Sequence, residues 1–521
     1  MRYPHALALA LALAPHASSA QAPYDVLIRG ARLLDGSGNP WVHADIAVRG
    51  DRIAAVGDLA ETDAARVIDA RGLYVAPGFI DTHSHAGGGL ADADLAGAVP
   101  LLAQGITTVF VNPDGGGPTD VAAQRGELEQ AGIGVNVAQL VGHGSVRRAV
   151  IGLADRAATP QELDAMRALV RAGMEQGAFG LSSGLYYTPG SFAPLEEVIE
   201  LAREVRPFGG AYTSHIRDEA DYTIGVVAAV DEVIRVAREA EVPGVVTHIK
   251  ALGPRVWGYA GALIQRIERA RGQGVEVFAD QYPYLASATG LEAALVPAWA
   301  RAGGDTAFVR RLGEPETRAR IRSEMVENLD RRGGAERIQF RRFEPDASIE
   351  GRTLAAVAAE RGQDPIATAL ELIAQDGPSI VSFNMHEDDV RALMRQPWTM
   401  TASDGDLGPM NVGVPHPRSY GTFPRKLREY AVEQRVVDLA AAVRSMTSLP
   451  ALVYGLADRG VIRAGAVADL LVFDLERVDD PATFTAPHQL AEGMVHVLVN
   501  GRFAIDEGRP TGERNGRVLR R

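Results

Sequence analysis

The chain has 521 residues, of which 46% are hydrophobic and 23% are charged, as is typical of folded globular proteins. Its 66 acidic residues outnumber 53 basic ones, and the resulting net charge of −13 opposes binding to nucleic acid. It contains no cysteine, which excludes disulfides, thiolate zinc sites, iron–sulfur clusters and a cysteine nucleophile. Any metal must therefore be bound by His, Asp or Glu.

Residues 1–20 have the features of a secretory signal peptide. Arg2 precedes an apolar run from Ala6 to Ala14, which is too short to span a bilayer, and small residues precede an expected cleavage site after Ala20. No other segment approaches about 20 uninterrupted apolar residues. The sequence thus predicts export to the periplasm with no membrane anchor after cleavage. No feature of it defines an oligomeric state.

The two ends of the mature chain share a pattern of short strands. Residues 24–75 alternate apolar and polar side chains between turns, which predicts short antiparallel strands, and residues 461–510 resume the pattern. We expect both segments to form one small β-sandwich.

Residues 76–460 alternate apolar strands with helical stretches, the pattern of parallel βα units. Eight strands are predicted, enough for a closed (β/α)8 TIM-type barrel: Gly78–His83, Ile106–Asn112, Val135–Val141, Ala178–Ser183, Ala211–His215, Gly244–Ile249, Val275–Asp280 and Met400–Asp404. Ser379–Phe383 is a ninth candidate that this count does not need. Residues from about 290 to 378, between strands seven and eight, are too many for a connection, and we expect an inserted subdomain or lid.

Six candidate metal ligands follow these predicted strands. Because active sites of such barrels lie at the carboxyl ends of the strands, residues far apart in sequence converge there. The six are His83, His85, Asp114, His215, His248 and Asp404. His83 and His85 are two positions apart, so they can face one pocket. A single strand-end histidine is more often a core residue, and the prediction depends on the whole set.

Histidine and aspartate donors suit Zn²⁺, with Mn²⁺ or Fe²⁺ as alternatives. A two-ion site would use His83, His85 and Asp404 for one ion and His215 and His248 for the other, with Asp114 as the bridge. Metal-activated water with Asp404 as general base, and then acid, predicts hydrolysis of an amide-like bond. Asp114 has a structural alternative, as the cap of a glycine loop beside a site that holds one ion or is bridged only by water.

Eight ordered motifs of the sequence resemble the amidohydrolase superfamily and, within it, the N-acyl-D-amino-acid deacylases or D-aminoacylases. They are Pro77–His85, Gly142–Gly144, Gly180–Leu185, Ser214–Glu219, Thr247–Ala251, Asp280–Tyr284, Ala402–Gly405 and His416–Arg418. The resemblance implies a metal-dependent barrel with a β-sandwich from both chain ends. It also implies metal ligation by His83, His85, His215, His248 and Asp404.

The resemblance further implies substrate contacts from Tyr187, Lys250, Tyr282 and Arg418. The guanidinium of Arg418 can bind the substrate α-carboxylate with two parallel hydrogen bonds. Without the resemblance, each of the four has a structural alternative: a loop charge for Arg418, packing at the pocket rim for the tyrosines, and an ion pair for Lys250.

The sequence departs from this family at two places. Asp114 stands where these deacylases have a metal-binding cysteine, and we expect the carboxylate to take over the bridge, since an oxidisable thiolate is a liability after export. The predicted fourth strand has no lysine, which excludes a carbamylated-lysine bridge. The second departure lies in residues 284–289, where the family usually has a Gly-Ser-Thr ending, so one hydroxyl contact to the substrate is expected to be missing.

The sequence therefore predicts an exported metal-dependent hydrolase that acts on N-acyl-D-amino acids or a related peptide-like small molecule. A dipeptidase or a hydrolase of cyclic imides or hydantoins on the same scaffold is the alternative. Arg418 favours a substrate with a free carboxylate, which a cyclic imide lacks. A non-catalytic binding protein on a barrel scaffold is a third hypothesis, which the retained ligand set disfavours.

Overall fold

The computed structural model describes residues 23–59 and 62–521, so the predicted signal peptide lies outside the described residues. Within these two ranges, no helix is long and apolar enough to cross a membrane.

Strands from both ends of the chain form one nine-stranded sheet. The N-terminal strands are β1 (Tyr24–Leu33), β2 (Val42–Arg49), β3 (Arg52–Gly57), β4 (Ala64–Asp69) and β5 (Tyr74–Pro77). The first three pair antiparallel as predicted, but the prediction is wrong for β4 and β5, which run parallel to β1. The reason is that the connection after β3 returns the chain to the end of the sheet at which β1 starts.

Eight parallel segments follow and contribute seven strands of the barrel. They are β6 (Phe79–Asp81), β7 (Ile106–Val111), β8 (Asn136–Gln139), β9 (Val141–Gly142), β10 (Gly180–Gly184), β11 (Ala211–His215), β12 (Gly244–Val246) and β13 (Val277–Gln281). β8 and β9 are halves of one strand, since β8 pairs with β7 and β9 with β10.

Residues between β13 and the last barrel strand form a separate antiparallel sheet with its own helices. Its strands are β14 (Ser287–Gly290), β15 (Ile338–Arg342) and β16 (Ser379–Ser382), in the order β14-β16-β15. The ninth candidate strand is therefore β16, which pairs with its antiparallel neighbours and not with the barrel. A buried apolar cluster of this segment includes Ile338, Phe340 and Ile380 of the small sheet together with residues of its helices.

The barrel closes through β17 (Thr399–Thr401), which pairs with β13. Beyond β17, the backbone N–H of Asp404 donates to the carbonyl of His83 at 2.9 Å, and that of His85 donates to Gly405, also at 2.9 Å. These bonds join the last strand end to the first. The chain then completes the nine-stranded sheet with β18 (Leu470–Phe473), β19 (Met494–Val499), β20 (Arg502–Asp506) and β21 (Arg509–Pro510).

Seventeen α-helices within the described residues connect these strands. They are α1 (Gly87–Ala91), α2 (Val99–Ala103), α3 (Val121–Ala131), α4 (His143–Ile151), α5 (Pro160–Glu175), α6 (Leu195–Arg203), α7 (Val226–Ala240), α8 (Ala260–Gly272), α9 (Leu291–Leu295), α10 (Asp305–Gly313), α11 (Pro315–Arg331), α12 (Leu354–Arg361), α13 (Pro365–Ile373), α14 (Glu387–Met394), α15 (Arg418–Arg425), α16 (Leu439–Met446) and α17 (Ser448–Tyr454). Short 3-10 turns span Gly190–Phe192, Arg206–Phe208, Ala298–Arg301, Ala335–Arg337 and Ala347–Ile349, and a π-helix spans Lys426–Glu433.

Helix α5 shows how the sequence defines these elements. The Thr159 hydroxyl accepts from the backbone N–H of Glu162, and the Glu162 carboxylate accepts from that of Thr159, so the first turn has a capping box with Pro160 at its start. Met166, Val170 and Met174 recur at helical spacing and are buried in the main apolar cluster. Helices of this kind cover the barrel strands and hold the strand ends that form the site.

Candidate metal centre

The structure brings all six predicted ligands together at the carboxyl ends of the barrel strands. His83 and His85 follow β6, Asp114 follows β7, His215 ends β11, His248 follows β12 and Asp404 follows β17. The six residues form two groups, and within each group the candidate ligand atoms all lie within 4.8 Å of one another. The first group is His83, His85, Asp114 and Asp404, and the second is Asp114, His215 and His248.

Asp114 lies between the two groups of imidazoles. Its Oδ1 is 3.4 Å from His83 Nε2, 3.8 Å from His215 Nδ1 and 3.7 Å from His248 Nε2, and its Oδ2 is 3.4 Å from His85 Nε2. Asp404 Oδ1 lies 3.1 Å from His85 Nε2 and 3.6 Å from His83 Nε2. Asp114 therefore lies where a ligand shared by two ions would be, and its role as a bridge stays a prediction.

Three of the six residues have left-handed backbone conformations. The φ angles are +55° at Asp114, +36° at His248 and +51° at Asp404. Such angles are uncommon outside glycine and cost free energy that the surrounding structure must supply. The fold thus holds these ligands in strained positions at the strand ends.

Several side-chain atoms at this place are buried without a hydrogen bond within the described residues. They include both ring nitrogens of His83, both ring nitrogens of His215 and Oδ1 of Asp114. A buried polar atom without a partner is costly, and most are satisfied in native structures. A divalent cation would satisfy Oδ1 of Asp114 and one ring nitrogen of each histidine, so the donor set fits a metal site, and imidazole with carboxylate is a set that Zn²⁺ favours.

The electrostatics keep both aspartates ionised. Burial opposes the charged form of Asp114, but the neighbouring imidazoles, His83 first, hold the pKa of that carboxyl well below its usual value. Burial likewise opposes ionisation of Asp404, but Arg418 and the imidazoles keep its pKa well below the usual range. Both carboxylates are therefore charged at neutral pH, as ligation of a cation and action as a general base require.

Arg418 is buried beside Asp404 with unused donors. Its Nη1 lies 2.8 Å from Asp404 Oδ2, yet neither Nη1 nor Nε forms a hydrogen bond of good geometry among the described residues. Its guanidinium carbon lies 4.9 Å from the ring centre of Tyr282, whose hydroxyl also lacks a partner there. The pair offers hydrogen-bond donors to an anion at the edge of the metal centre.

Lys250 is already engaged by protein groups. Its Nζ donates to Glu219 Oε1 at 2.5 Å and lies 2.7 Å from Nδ1 of His248. Glu219 is also within 3.8 Å of His215, four residues earlier. The contact geometry thus favours the ion-pair alternative for Lys250, with Glu219 orienting two candidate ligands.

Tyr187 lies over the other side of the metal centre, with its ring 4.6 Å from that of His215. Its hydroxyl lies 3.3 Å from Thr289 Oγ1 on β14. A cavity of about 640 Å³ opens here, lined by Tyr187, Thr289, Arg418 and most of the metal ligands. Thr289 therefore supplies a hydroxyl to the cavity, although the expected hydroxyl-bearing loop motif is absent from the sequence.

The sequence analysis missed some residues of this site. Glu219 belongs to the Ser214–Glu219 motif, and its spacing of four from His215 was the available signal. Arg332, which lines the same cavity, gave no signal because it follows a helix of the insertion. His143, from the Gly142–Gly144 motif, instead binds Glu197 at 2.9 Å, and Glu197 also pairs with Arg147.

Comparisons with known proteins agree over nearly the whole chain. The profile of the amidohydrolase family matches residues 66–505. An N-acyl-D-glutamate deacylase of Alcaligenes xylosoxydans xylosoxydans is 38% identical over 96% of this chain and 97% of its own, and a D-aminoacylase of the same organism is 36% identical over 96% and 98%. The solved N-acyl-D-glutamate deacylase of Bordetella bronchiseptica, complexed with zinc and a phosphonate inhibitor, superimposes with a TM-score of 0.83 at 35% identity, covering 96% of this chain and 100% of that one.

Proposed function

The chain belongs to the amidohydrolase family, and we propose that it is a metal-dependent deacylase that hydrolyses the amide bond of N-acyl-D-amino acids. The observation that carries this proposal is the cluster of His83, His85, Asp114, His215, His248 and Asp404 at one end of the barrel. Relatives named for deacylation of D-amino acids match 96% of this chain and support the substrate class.

The six residues would hold one or two Zn²⁺ ions, with Mn²⁺ or Fe²⁺ as alternatives. A bound divalent cation lowers the pKa of water and polarises a carbonyl oxygen. His83, His85 and Asp404 form one donor group and His215 and His248 the other, with Asp114 shared between them. The zinc in the solved relative supports this assignment.

Asp404 is the proposed general base and acid. Its low pKa makes it a carboxylate at neutral pH, so it can accept a proton from the attacking water. Protonated Asp404 then donates this proton to the amide nitrogen as the carbon–nitrogen bond breaks. The products are a carboxylic acid and a D-amino acid with a free amine.

Arg418 is proposed to bind the α-carboxylate of the substrate. Its Nη1 and Nε form no hydrogen bond of good geometry within the described residues and lie close to Asp404, which supports binding of that carboxylate beside the scissile amide. Tyr282 and Tyr187 are the proposed walls of the substrate site. A hydantoin or cyclic imide has no free carboxylate to satisfy Arg418, so this residue favours an N-acyl amino acid or a dipeptide.

We also propose that the enzyme is exported to the periplasm after cleavage behind Ala20. The pattern of charge, apolar run and small residues in the first twenty positions supports this location. N-terminal sequencing of the mature protein from fractionated cells tests it, and an uncleaved cytoplasmic product would contradict it.

A substrate screen with zinc-reconstituted protein tests the activity. We expect hydrolysis of N-acetyl-D-amino acids, much slower turnover of the L-enantiomers, and loss of activity on exhaustive chelation that added zinc reverses. Dipeptides and hydantoins serve as the alternative substrates. If a dipeptide or a hydantoin is hydrolysed faster than every N-acetyl-D-amino acid, the proposed reaction is wrong. Full activity after chelation would show that the reaction does not need a metal.

A further inference from the structure

Arg332 is a fully buried arginine that lines the cavity of the metal centre, with 2% of its surface exposed. It directly follows helix α11 of the insertion. Its Nε donates to the Ala294 carbonyl at 3.3 Å, its Nη1 to the Ser382 hydroxyl at 3.2 Å, and its Nη2 to the Tyr186 hydroxyl at 3.3 Å. All three acceptors are neutral, and a guanidinium has five N–H donors, so two donors remain for a ligand.

The other cationic side chains of this cavity each have an acidic partner. Lys250 pairs with Glu219 at 2.5 Å, Arg341 with Asp406 at 2.5 Å, and Arg418 with Asp404 at 2.8 Å. Among residues 23–59 and 62–521, no ion pair joins a carboxylate to the Arg332 guanidinium, whose hydrogen bonds go to a carbonyl and two hydroxyl groups. A buried charge without a counter-ion is expensive, so the cavity at Arg332 is suited to a ligand that supplies the missing negative charge.

The position of Arg332 relative to the metal centre indicates which part of a substrate would carry this negative charge. Arg332 contacts the hydroxyl of Tyr186, whose ring lies 5.6 Å from that of His215. Arg418, in contrast, lies beside Asp404 in the other donor group. Two guanidinium groups therefore flank the metal centre from different sides, and one substrate α-carboxylate can satisfy only one of them.

We propose that Arg332 binds the side-chain carboxylate of the substrate, which makes N-acyl derivatives of acidic D-amino acids, glutamate or aspartate, the preferred substrates. This inference rests on the proposed deacylase function. A deacylase named for D-glutamate and another named for D-amino acids generally match the chain almost equally well, so overall similarity does not decide the side chain. The assignment of an acidic side chain depends instead on the unpaired guanidinium of Arg332.

The test compares N-acetyl-D-glutamate with N-acetyl-D-glutamine on the zinc-reconstituted full chain. The two side chains have nearly the same volume and differ in charge, so the ratio of their kcat/KM values isolates the carboxylate. We expect the wild type to prefer the glutamate substrate by about 10- to 100-fold, as for a hydrogen bond to a charged group. Arg332→Met should abolish this preference, and Arg332→Lys, which keeps the charge but loses the planar fork, should retain part of it.

Arg341→Met is the matched control, because Arg341 lines the same cavity but is neutralised by Asp406. It should leave the glutamate-to-glutamine ratio at the wild-type value. N-succinyl-D-leucine tests whether the second carboxylate belongs to the acyl group; preferential hydrolysis of it over N-acetyl-D-leucine, lost in Arg332→Met, would overturn the assignment to the side chain.

The outcomes also separate this inference from the proposed function. A wild-type ratio near one would overturn the role of Arg332 while leaving the deacylase intact, whereas failure to hydrolyse any N-acyl-D-amino acid would overturn the deacylase itself. If Arg332→Met does not fold, calorimetry of wild-type protein with the products decides: D-glutamate binding at least about tenfold tighter than D-glutamine supports the inference, and equal binding refutes it.

Discussion

The two ends of the barrel each bury a cluster of polar and charged side chains. Only in the cluster at the amino ends do the polar groups satisfy one another with hydrogen bonds and ion pairs. At the amino ends, Asp469 pairs with Arg459 and accepts from the backbone N–H of Asn500 at 2.7 Å and from Nδ2 of Asn136 at 3.2 Å. Arg459 and Asn136 also bind the Asn500 side chain. At the carboxyl ends, the ring nitrogens of His83 and His215 have no such partners within the described chain.

This difference indicates that the amino-end cluster stabilises the fold, whereas the carboxyl-end cluster is built for a ligand. The amino-end cluster joins the barrel, through Asn136 on β8, to the nine-stranded sheet, and each of its polar groups has a protein partner. The carboxyl-end cluster combines unsatisfied atoms with strained backbone at Asp114, His248 and Asp404. Such costs persist where a ligand or a reaction requires them.

The largest expected effect is on turnover when Asp404 is replaced. Asp404→Asn keeps the side-chain shape and an oxygen facing Arg418 but removes the proton acceptor. We expect kcat for the best N-acyl-D-amino acid to fall by about 10²- to 10⁴-fold. Steady-state kinetics measures the loss, and circular dichroism with elemental analysis should show a folded protein that retains most of its metal. Activity close to that of the wild type would remove the general base from the proposed mechanism.

At the opposite end, the expected effect is on stability alone. Arg459→Met leaves the charge of Asp469 buried and unpaired, and we expect the free energy of unfolding to fall by about 3–5 kcal/mol. Urea denaturation measures this, and kcat of the folded variant at low temperature should match the wild type. The double variant Arg459→Met with Asp469→Leu should recover most of the stability. If the single variant instead lowers kcat without destabilising the fold, the division between the two ends is wrong.

A smaller effect is expected on metal affinity when the shared ligand is removed. Asp114→Ala should weaken binding of one of two zinc ions by at least about 100-fold, because even indirect partners of a metal ligand change affinity by 10- to 100-fold. Elemental analysis after dialysis against a weak chelator reports the ion count. Asp114→Cys, which restores the residue type of the resembling deacylases, should return the count to that of the wild type. An unchanged count in Asp114→Ala would assign the bridge elsewhere.

The sequence predicted the eight barrel strands, and it predicted which six side chains meet at their carboxyl ends, because both follow from local patterns. Apolar runs mark buried parallel strands, and His or Asp immediately after a run must lie at the carboxyl end. The pairing of β4 and β5 with β1 was not predictable, since strand periodicity carries no information on which neighbour a strand meets. Arg332 gave no sequence signal either, because its place in the cavity depends on the docking of an insertion whose path no local pattern describes.

Lys426 is buried like the charges of both clusters, but within the described part of the chain it pairs with no carboxylate and lines no cavity of the metal centre. Its Nζ donates to Thr401 Oγ1 and Ser445 Oγ, both at 2.8 Å. Burial lowers its pKa from 10.5 to about 7, so above that pH the native state holds a neutral lysine while the unfolded chain still holds a proton. Stability therefore increases with pH over this range, and below about pH 7 the full penalty of the buried charge applies.

Relative to Lys426→Met, the wild-type free energy of unfolding should rise by about 1.4 kcal/mol per pH unit between pH 7 and pH 10. Urea denaturation of both proteins across this range, with groups other than Lys426 cancelling in the difference, isolates the slope. Parallel curves would mean that Lys426 remains charged and that its two hydroxyl partners suffice. The fold could then stabilise a buried cation with hydroxyl groups alone, without a carboxylate such as Asp469. The lack of a counter-ion at Arg332 would then be weaker evidence for an anionic ligand.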